Sequence, residues 1–153
     1  MFRLTLTTDY ALRTLLLLAG GSAARTTVRD VAEFFKISPD HVARAVQGLA
    51  QKGVIRAERG RNGGISLARP PEQITVWEIV EIFEGKVSLL ECVEVEEVCV
   101  IQRICRLRRV LARVGERLRL DLAAVTLADL VDGEGDWLVR LMPPEPARTS
   151  ATG

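Results

Sequence analysis

The stretch VIRAERGRNGGISLARP, from Val54 to Pro70, constrains the fold more than any other. Ile55, Ala57, Ile65 and Leu67 alternate with polar residues on either side of a Gly/Asn tip, the pattern of two short strands joined as a β-hairpin. The hairpin follows directly on a segment that reads as a helix, begun by Ser38, with Pro39 at its first helical position, and closed by Gly53. Ahead of it, Thr27 and Asp30 stand at capping-box spacing, with Asp in place of the usual Glu, and Val31, Ala32, Phe34 and Phe35 make a short helix. Only Lys36 to Ser38 separate the two, so they form a helix-turn-helix, and a hairpin behind that unit makes a winged helix. An earlier helix begins where the chain reads TTDYALRTLLLLA from Thr7: a threonine cap, an acid in the first turn, then dense apolar residues ending near Gly20.

On the third helix, Val42, Val46, Leu49 and Ala50 define a buried stripe, and Asp40, His41, Arg44, Gln47, Gly48 and Gln51 face away. A recognition helix presents its N-terminal side chains to base edges, so Arg44 and His41 are the first candidates for base contacts and Gln47 the next. A solvated helix face would carry similar residues, and the wing decides between the two. It holds Arg56, Arg59, Arg61 and Arg69 against Glu58 alone, and its glycines let the backbone approach a phosphate or enter a minor groove. Arg59 and Arg61 are expected to hold a duplex rather than read it, and Arg56 joins them as a DNA contact. Charge agrees: residues 1–70 carry 11 Lys/Arg against 5 Asp/Glu, whereas residues 71–153 carry 10 against 15.

An apolar fraction of 48% excludes wholesale disorder, and 153 residues allow one real core plus an appendage. The apolar run ALRTLLLLAGG is interrupted by Arg13 and too short to span a bilayer, and no secretory signal is legible, so a cytoplasmic location is expected. Behind Pro70 and Pro71, TVWEIVEIFEG reads as a short amphipathic helix with Trp77, Val80 and Phe83 as core anchors. From Ile104, apolar residues recur at Leu107, Leu111, Val114, Leu118, Leu122 and Val125, a near-heptad seam flanked by arginines. Few other elements are left to cover it, so it favours a partner helix, and reading a pseudo-palindromic operator calls for a homodimer.

The expected class is mainly α with a small β-hairpin wing. A winged helix-turn-helix DNA-binding domain spans residues 1–70, and a connecting helix and cysteine-bearing loop span 71–100. A dimerisation helix with a short terminal helix spans 101–131, and a flexible tail spans 132–153.

All three cysteines, Cys92, Cys99 and Cys105, fall in ECVEVEEVCVIQRIC, among four glutamates and just before a run of arginines. An odd count in a cytosolic chain argues against a disulfide framework and leaves metal binding, redox chemistry or idle thiols. Paired C-x2-C knuckles are absent and the one histidine already stands on the recognition helix, so zinc fits poorly. Three spaced thiolates can instead wrap an iron-sulfur cluster, with a fourth ligand from elsewhere.

Five stretches carry a resemblance to a known family: TTDYALR at Thr7–Arg13, RGRNGGISLARP at Arg59–Pro70, SLLEC ending at Cys92, C-x5-C-R-L from Cys99 to Leu107, and TLADLV at Thr126–Val131. Together they resemble the iron-sulfur winged-helix regulators of the Rrf2 family, and most closely its nitric-oxide-sensing repressors of the NsrR type. The resemblance implies that Cys92, Cys99 and Cys105 bind a cluster, 4Fe-4S in preference to 2Fe-2S. In NsrR-type proteins the fourth ligand is an aspartate near the N-terminus of the other subunit, which Asp9 matches here. In members of the IscR kind it is a histidine three residues after the last cysteine, where this chain has Arg108. NsrR-type proteins also carry a histidine where His41 stands.

The resemblance further implies a homodimeric repressor, released from double-stranded operator DNA when nitric oxide nitrosylates the cluster. The Cys92–Cys99 interval departs by about a residue from particular subfamilies, which keeps open an iron- or cluster-status sensor of the RirA or IscR kind. A metal-free thiol redox switch is the alternative from another class. An enzyme is not expected, since the chain has no P-loop and no GxGxxG after a strand. Ser38, Asp40 and His41 adjoin only on a helix cap, where triad geometry is not expected.

Overall fold

Capping side chains set where most of the helices begin. In the computed structural model, which describes residues 3–21, 25–58, 60 and 63–131, α1 runs over Leu6–Gly20. Thr5 rather than Thr7 is its cap, accepting the Thr8 N–H at 3.3 Å. The capping box of α2 (Val28–Phe35) is complete: Thr27 Oγ1 accepts the Asp30 N–H at 3.1 Å, and the Asp30 carboxylate accepts the Thr27 N–H at 3.0 Å. Lys36, at φ 54°, closes α2 in the left-handed cap that glycine usually takes, and this turn reverses the chain into α3 (Pro39–Gln51). Gly53, at φ 68°, then leads into the wing.

The wing is β1 (Ile55–Glu58) paired antiparallel with β2 (Gly64–Leu67) in the register Ile55↔Leu67, Ala57↔Ile65. Ile55 and Ile65 turn into the core. A third segment joins it: Thr26, just ahead of α2, exchanges two backbone hydrogen bonds with Ile65, at 3.0 and 2.7 Å. Gly64 is required there, because a Cβ would stand 2.8 Å from the Thr26 carbonyl oxygen.

Beyond a 3-10 turn at Pro71–Gln73 come α4 (Val76–Glu84), α5 (Glu91–Glu94), α6 (Arg106–Ala123) and α7 (Leu127–Val131). The core is shared along the chain. Ala11, Leu15, Val31, Val42, Ala45 and Leu49 from the first three helices are fully buried with Ile74, Ile79 and Leu127 from the later segments. Of the anchors expected on α4, Val80 is buried, whereas Trp77 and Phe83 are half-buried, and Ile79 is buried in addition. Helix α4 lies against α1 and α3, so its Ile79–Val80 face is enclosed, and Phe83 packs over Gly48. Gly48 therefore lies under α4 instead of facing away; a Cβ there would come within 2.5 Å of the Phe83 ring.

No residue of α6 is buried. Its apolar stripe is divided: Leu111, Leu118 and Leu122 are half-buried where α6 leans on α4 and α5, while Leu107, Val110 and Val114 stay 58%, 44% and 50% exposed. Val125 falls past the end of the helix, where its carbonyl accepts the Val76 N–H at 2.9 Å, so the seam ends at Leu122. Among the described residues no helix is long and apolar enough to cross a membrane. The tail expected at 132–153 lies outside the described residues.

Candidate functional site

The exposed face of α3 carries His41, Arg44 and Gln47, placed by the burial of Val42, Ala45, Val46 and Leu49 on its other side. The His41 ring stacks on Tyr10 of α1, with centroids 5.6 Å apart and planes 15° from parallel, which fixes the first turn of α3 against α1. Gln47 lines an open groove of about 720 Å³ between α3 and the wing, with Ala43, Gln51, Ala57 and Gly64. Arg56 is exposed on β1. Glu58 pairs with Arg25 at 2.7 Å, so the wing's one acid is drawn to the segment before α2. Arg59 and Arg61 lie outside the described residues.

Asp9 stands in the first turn of α1 and is held by Arg13 one turn on, through Nη2–Oδ2 at 2.9 Å and Nε–Oδ1 at 3.0 Å. Both side chains remain about two-fifths exposed. The Arg13 guanidinium also lies 5.8 Å from the centroid of Phe35, at the end of α2. One residue away, Thr8 is fully buried and donates to the Glu84 carboxylate, which also accepts the Thr5 N–H at 2.7 Å. Burial pushes the Glu84 pKa up, but the hydrogen bonds from Thr8 and Thr5 outweigh it and hold the group below its ordinary value. The last turn of α4 is thereby tied to the start of α1.

The cysteine segment lies between α4 and α6. Cys92 and Cys105 are half-buried, Cys99 is exposed, and all three thiols are free. Cys105 caps α6, its Sγ accepting the Arg108 N–H at 3.4 Å. The Arg108 side chain turns back, Nε donating to the Cys92 carbonyl at 2.7 Å and Nη2 to the Val93 carbonyl at 3.3 Å. Gln102, 7% exposed, donates through Nε2 to the carbonyls of Cys92 at 2.8 Å and Val95 at 2.6 Å. As a donor set, three soft thiols on one folded-back segment fit iron or an iron-sulfur cluster. Among the described residues, however, no group of three or more His, Cys, Asp or Glu side chains is already gathered around one point.

Sequence reasoning named the thiols, Asp9 and the α3 face, but not Gln102, Glu84 or the backbone role of Arg108. These act on distant carbonyls or hydroxyls and leave no periodic mark. Capping arithmetic could have flagged Arg108, since a basic residue three positions past a cap can reach back over it.

A helix-turn-helix with Arg44 exposed on its second helix, followed by a hairpin wing with Arg56 exposed, defines a winged-helix transcriptional regulator. The Rrf2 pattern, described as an iron-dependent transcriptional regulator, matches residues 4–133, and the chain belongs to the Rrf2 family. It is similar to the HTH-type transcriptional regulator NsrR of Geobacillus kaustophilus, 40% identical over 132 residues, covering 85% of this chain and 90% of that one. It is likewise similar to NsrR of Bacillus subtilis, 36% identical over 148 residues, covering 94% and 99%. Among solved structures, CymR, the global cysteine regulator of B. subtilis, superposes with a TM-score of 0.70 at 25% identity, covering 85% of this chain and 96% of that one. IscR of T. potens shares the fold, with a TM-score of 0.64 at 22% identity, covering 85% and 86%.

Proposed function

We propose that the protein is a homodimeric repressor that binds double-stranded operator DNA and senses nitric oxide through an iron-sulfur cluster held by Cys92, Cys99 and Cys105. The observation that carries this reading is the placement of all three thiols on one clamped segment joined to a winged helix, in a chain 40% identical to a regulator named NsrR. When bound, such a cluster, 4Fe-4S in this reading, supplies iron that reacts with nitric oxide.

The chain's own residues provide the rest. Cys92, Cys99 and Cys105 serve as thiolate ligands, and Asp9 of the partner subunit as a fourth, oxygen ligand, hard and weak beside thiolate. To serve, Asp9 has to leave Arg13, whose guanidinium touches Phe35 at the end of α2. The helix pair that carries His41, Arg44 and Gln47 is thus mechanically adjacent to the ligand. Arg108 occupies the position of the IscR-type histidine and spends its side chain on two backbone carbonyls, which favours an Asp9-type arrangement over the IscR one. The exposed Leu107, Val110 and Val114 supply the dimer contact. Arg56, with Arg59 and Arg61, holds phosphates.

The test is native mass spectrometry of protein purified without oxygen, repeated during stepwise addition of nitric oxide and read beside operator binding. A dimer with one cluster per subunit that forms iron-nitrosyl adducts and leaves the operator is the expected result. A colourless protein with three free thiols and reversible disulfide formation would replace this reading with a thiol switch. A cluster-bearing dimer whose operator binding follows iron supply and ignores nitric oxide would replace the signal.

A further inference from the structure

The three cysteines are not equivalent in the fold. Cys92 sits on α5, four residues long and too short to hold itself in water. Side chains from beyond it close its C-terminal end: Gln102 caps the carbonyls of Cys92 and Val95, and Arg108 those of Cys92 and Val93. Through its backbone N–H, Arg108 also touches the Cys105 sulfur, so one residue joins the ends of the segment that carry the first and last thiols. The Gln102 Oε1 atom is buried without a hydrogen-bond partner among the described residues. An unpaired buried acceptor is costly, so the two capped carbonyls are what hold this amide in place.

Cys99 shares none of these side-chain bonds. It is exposed, and its carbonyl accepts the Gln102 N–H at 3.0 Å. Its surroundings are Glu97 in the left-handed region at φ 65° and Val100, which is wholly exposed.

We infer that Gln102 and Arg108 are positioning residues, a side-chain clamp that folds Cys92 against Cys105 before any cofactor is present and leaves Cys99 as the thiol that closes last and opens first. Two of the three ligands are then prearranged, and one stretch of backbone around Cys99 has to move for the third. The clamp's part in loading rests on the cofactor proposed above; the clamp itself does not. It follows that the cluster-free chain keeps α5 folded.

The experiment is amide hydrogen exchange on the full-length, cluster-free chain at single-residue resolution, comparing wild type with Gln102→Leu and Arg108→Lys. Lysine keeps the charge but cannot reach both carbonyls as a fork. In the wild type, the Val93 and Val95 amides, bonded to the Leu90 and Glu91 carbonyls, are expected to be protected at least about tenfold over unstructured rates, equal to about 1.4 kcal/mol. In either variant that protection is lost, while Val46 and Leu49 in α3 keep theirs and report an intact fold. Alkylation of the same samples should modify Cys99 faster than Cys92 in the wild type and bring Cys92 towards the Cys99 rate in the variants. Unprotected Val93 and Val95 in the wild type, unchanged protection in both variants, or equal wild-type rates at Cys92 and Cys99 would each overturn the clamp. A chain that keeps its clamp yet never takes up a cluster would instead refute the function proposed above.

Discussion

Glu84 offers the sharpest test of how the start of α1, and Asp9 with it, is held. Its carboxylate accepts from the Thr5 N–H and the Thr8 hydroxyl across 79 and 76 residues of sequence. A hydrogen bond to a charged group contributes about 1.5–3 kcal/mol. Thr5 lies at an exposed end, and Thr8 Oγ1 keeps Thr5 Oγ1 at 3.0 Å as a second partner, so Glu84→Ala should cost about one such bond, roughly 2 kcal/mol. In a chain of 153 residues this lowers Tm by about 4–8 °C. The pH dependence follows from the depressed pKa: the stabilisation is fully present above the ordinary value of 4.5 and is lost as the pH falls through the lower folded value. Glu84→Gln, which keeps an acceptor but no charge, should be less stable than wild type at neutral pH, and the gap should close in acid below 4.5. Thermal unfolding of the cluster-free chain by circular dichroism across pH 3–7 measures both effects. A Glu84→Ala Tm equal to wild type, or a gap between wild type and Glu84→Gln that persists unchanged in acid, refutes the reasoning.

Arg44→Ala should relax base preference at one operator position by about 1–3 kcal/mol in fluorescence anisotropy, and an equal loss on random DNA would remove its reading role. Arg56→Ala should weaken all sequences alike and shallow the salt slope by about one, which titrations at several salt concentrations test. Gly64→Ala pushes a methyl against the Thr26 carbonyl and should cost about 1–3 kcal/mol through the two Thr26–Ile65 hydrogen bonds, read by urea unfolding. Val114→Glu, on the exposed stripe of α6, should convert a dimer into a folded monomer by light scattering; an unchanged mass would move the interface elsewhere.

The winged helix was legible because its signals are local. Thr27 and Asp30 cap within one turn, Pro39 starts α3 by its ring alone, and Ile55 and Ile65 alternate in the hairpin. Long-range choices were not. Three threonines at positions 5, 7 and 8 compete to cap α1, and Glu84 from the far end of α4 decides for Thr5. Gly48 has no side chain to reveal its face, so its contact with Phe83 shows only when α4 is in place. Trp77 was the larger candidate anchor, but the face of α4 is chosen by α1 and α3, which enclose Ile79. Cysteine spacing exposed the thiols, whereas Gln102 and Arg108 bond to carbonyls 7 to 16 residues away and carry no pattern.

The stitch between Thr75 and Thr126 has a mechanical meaning. The Val76 N–H donates to the Val125 carbonyl at 2.9 Å and the Leu127 N–H to the Ile74 carbonyl at 2.8 Å, with Leu127 fully buried against the shared core. Helix α6, about 27 Å long at 1.5 Å per residue, is therefore a strut pinned at its far end to the body that carries α3 and the wing. A force applied at its cysteine end is passed to that pinned point, beside α1, and to α4, on which the helix leans, instead of being dissipated in a loose arm.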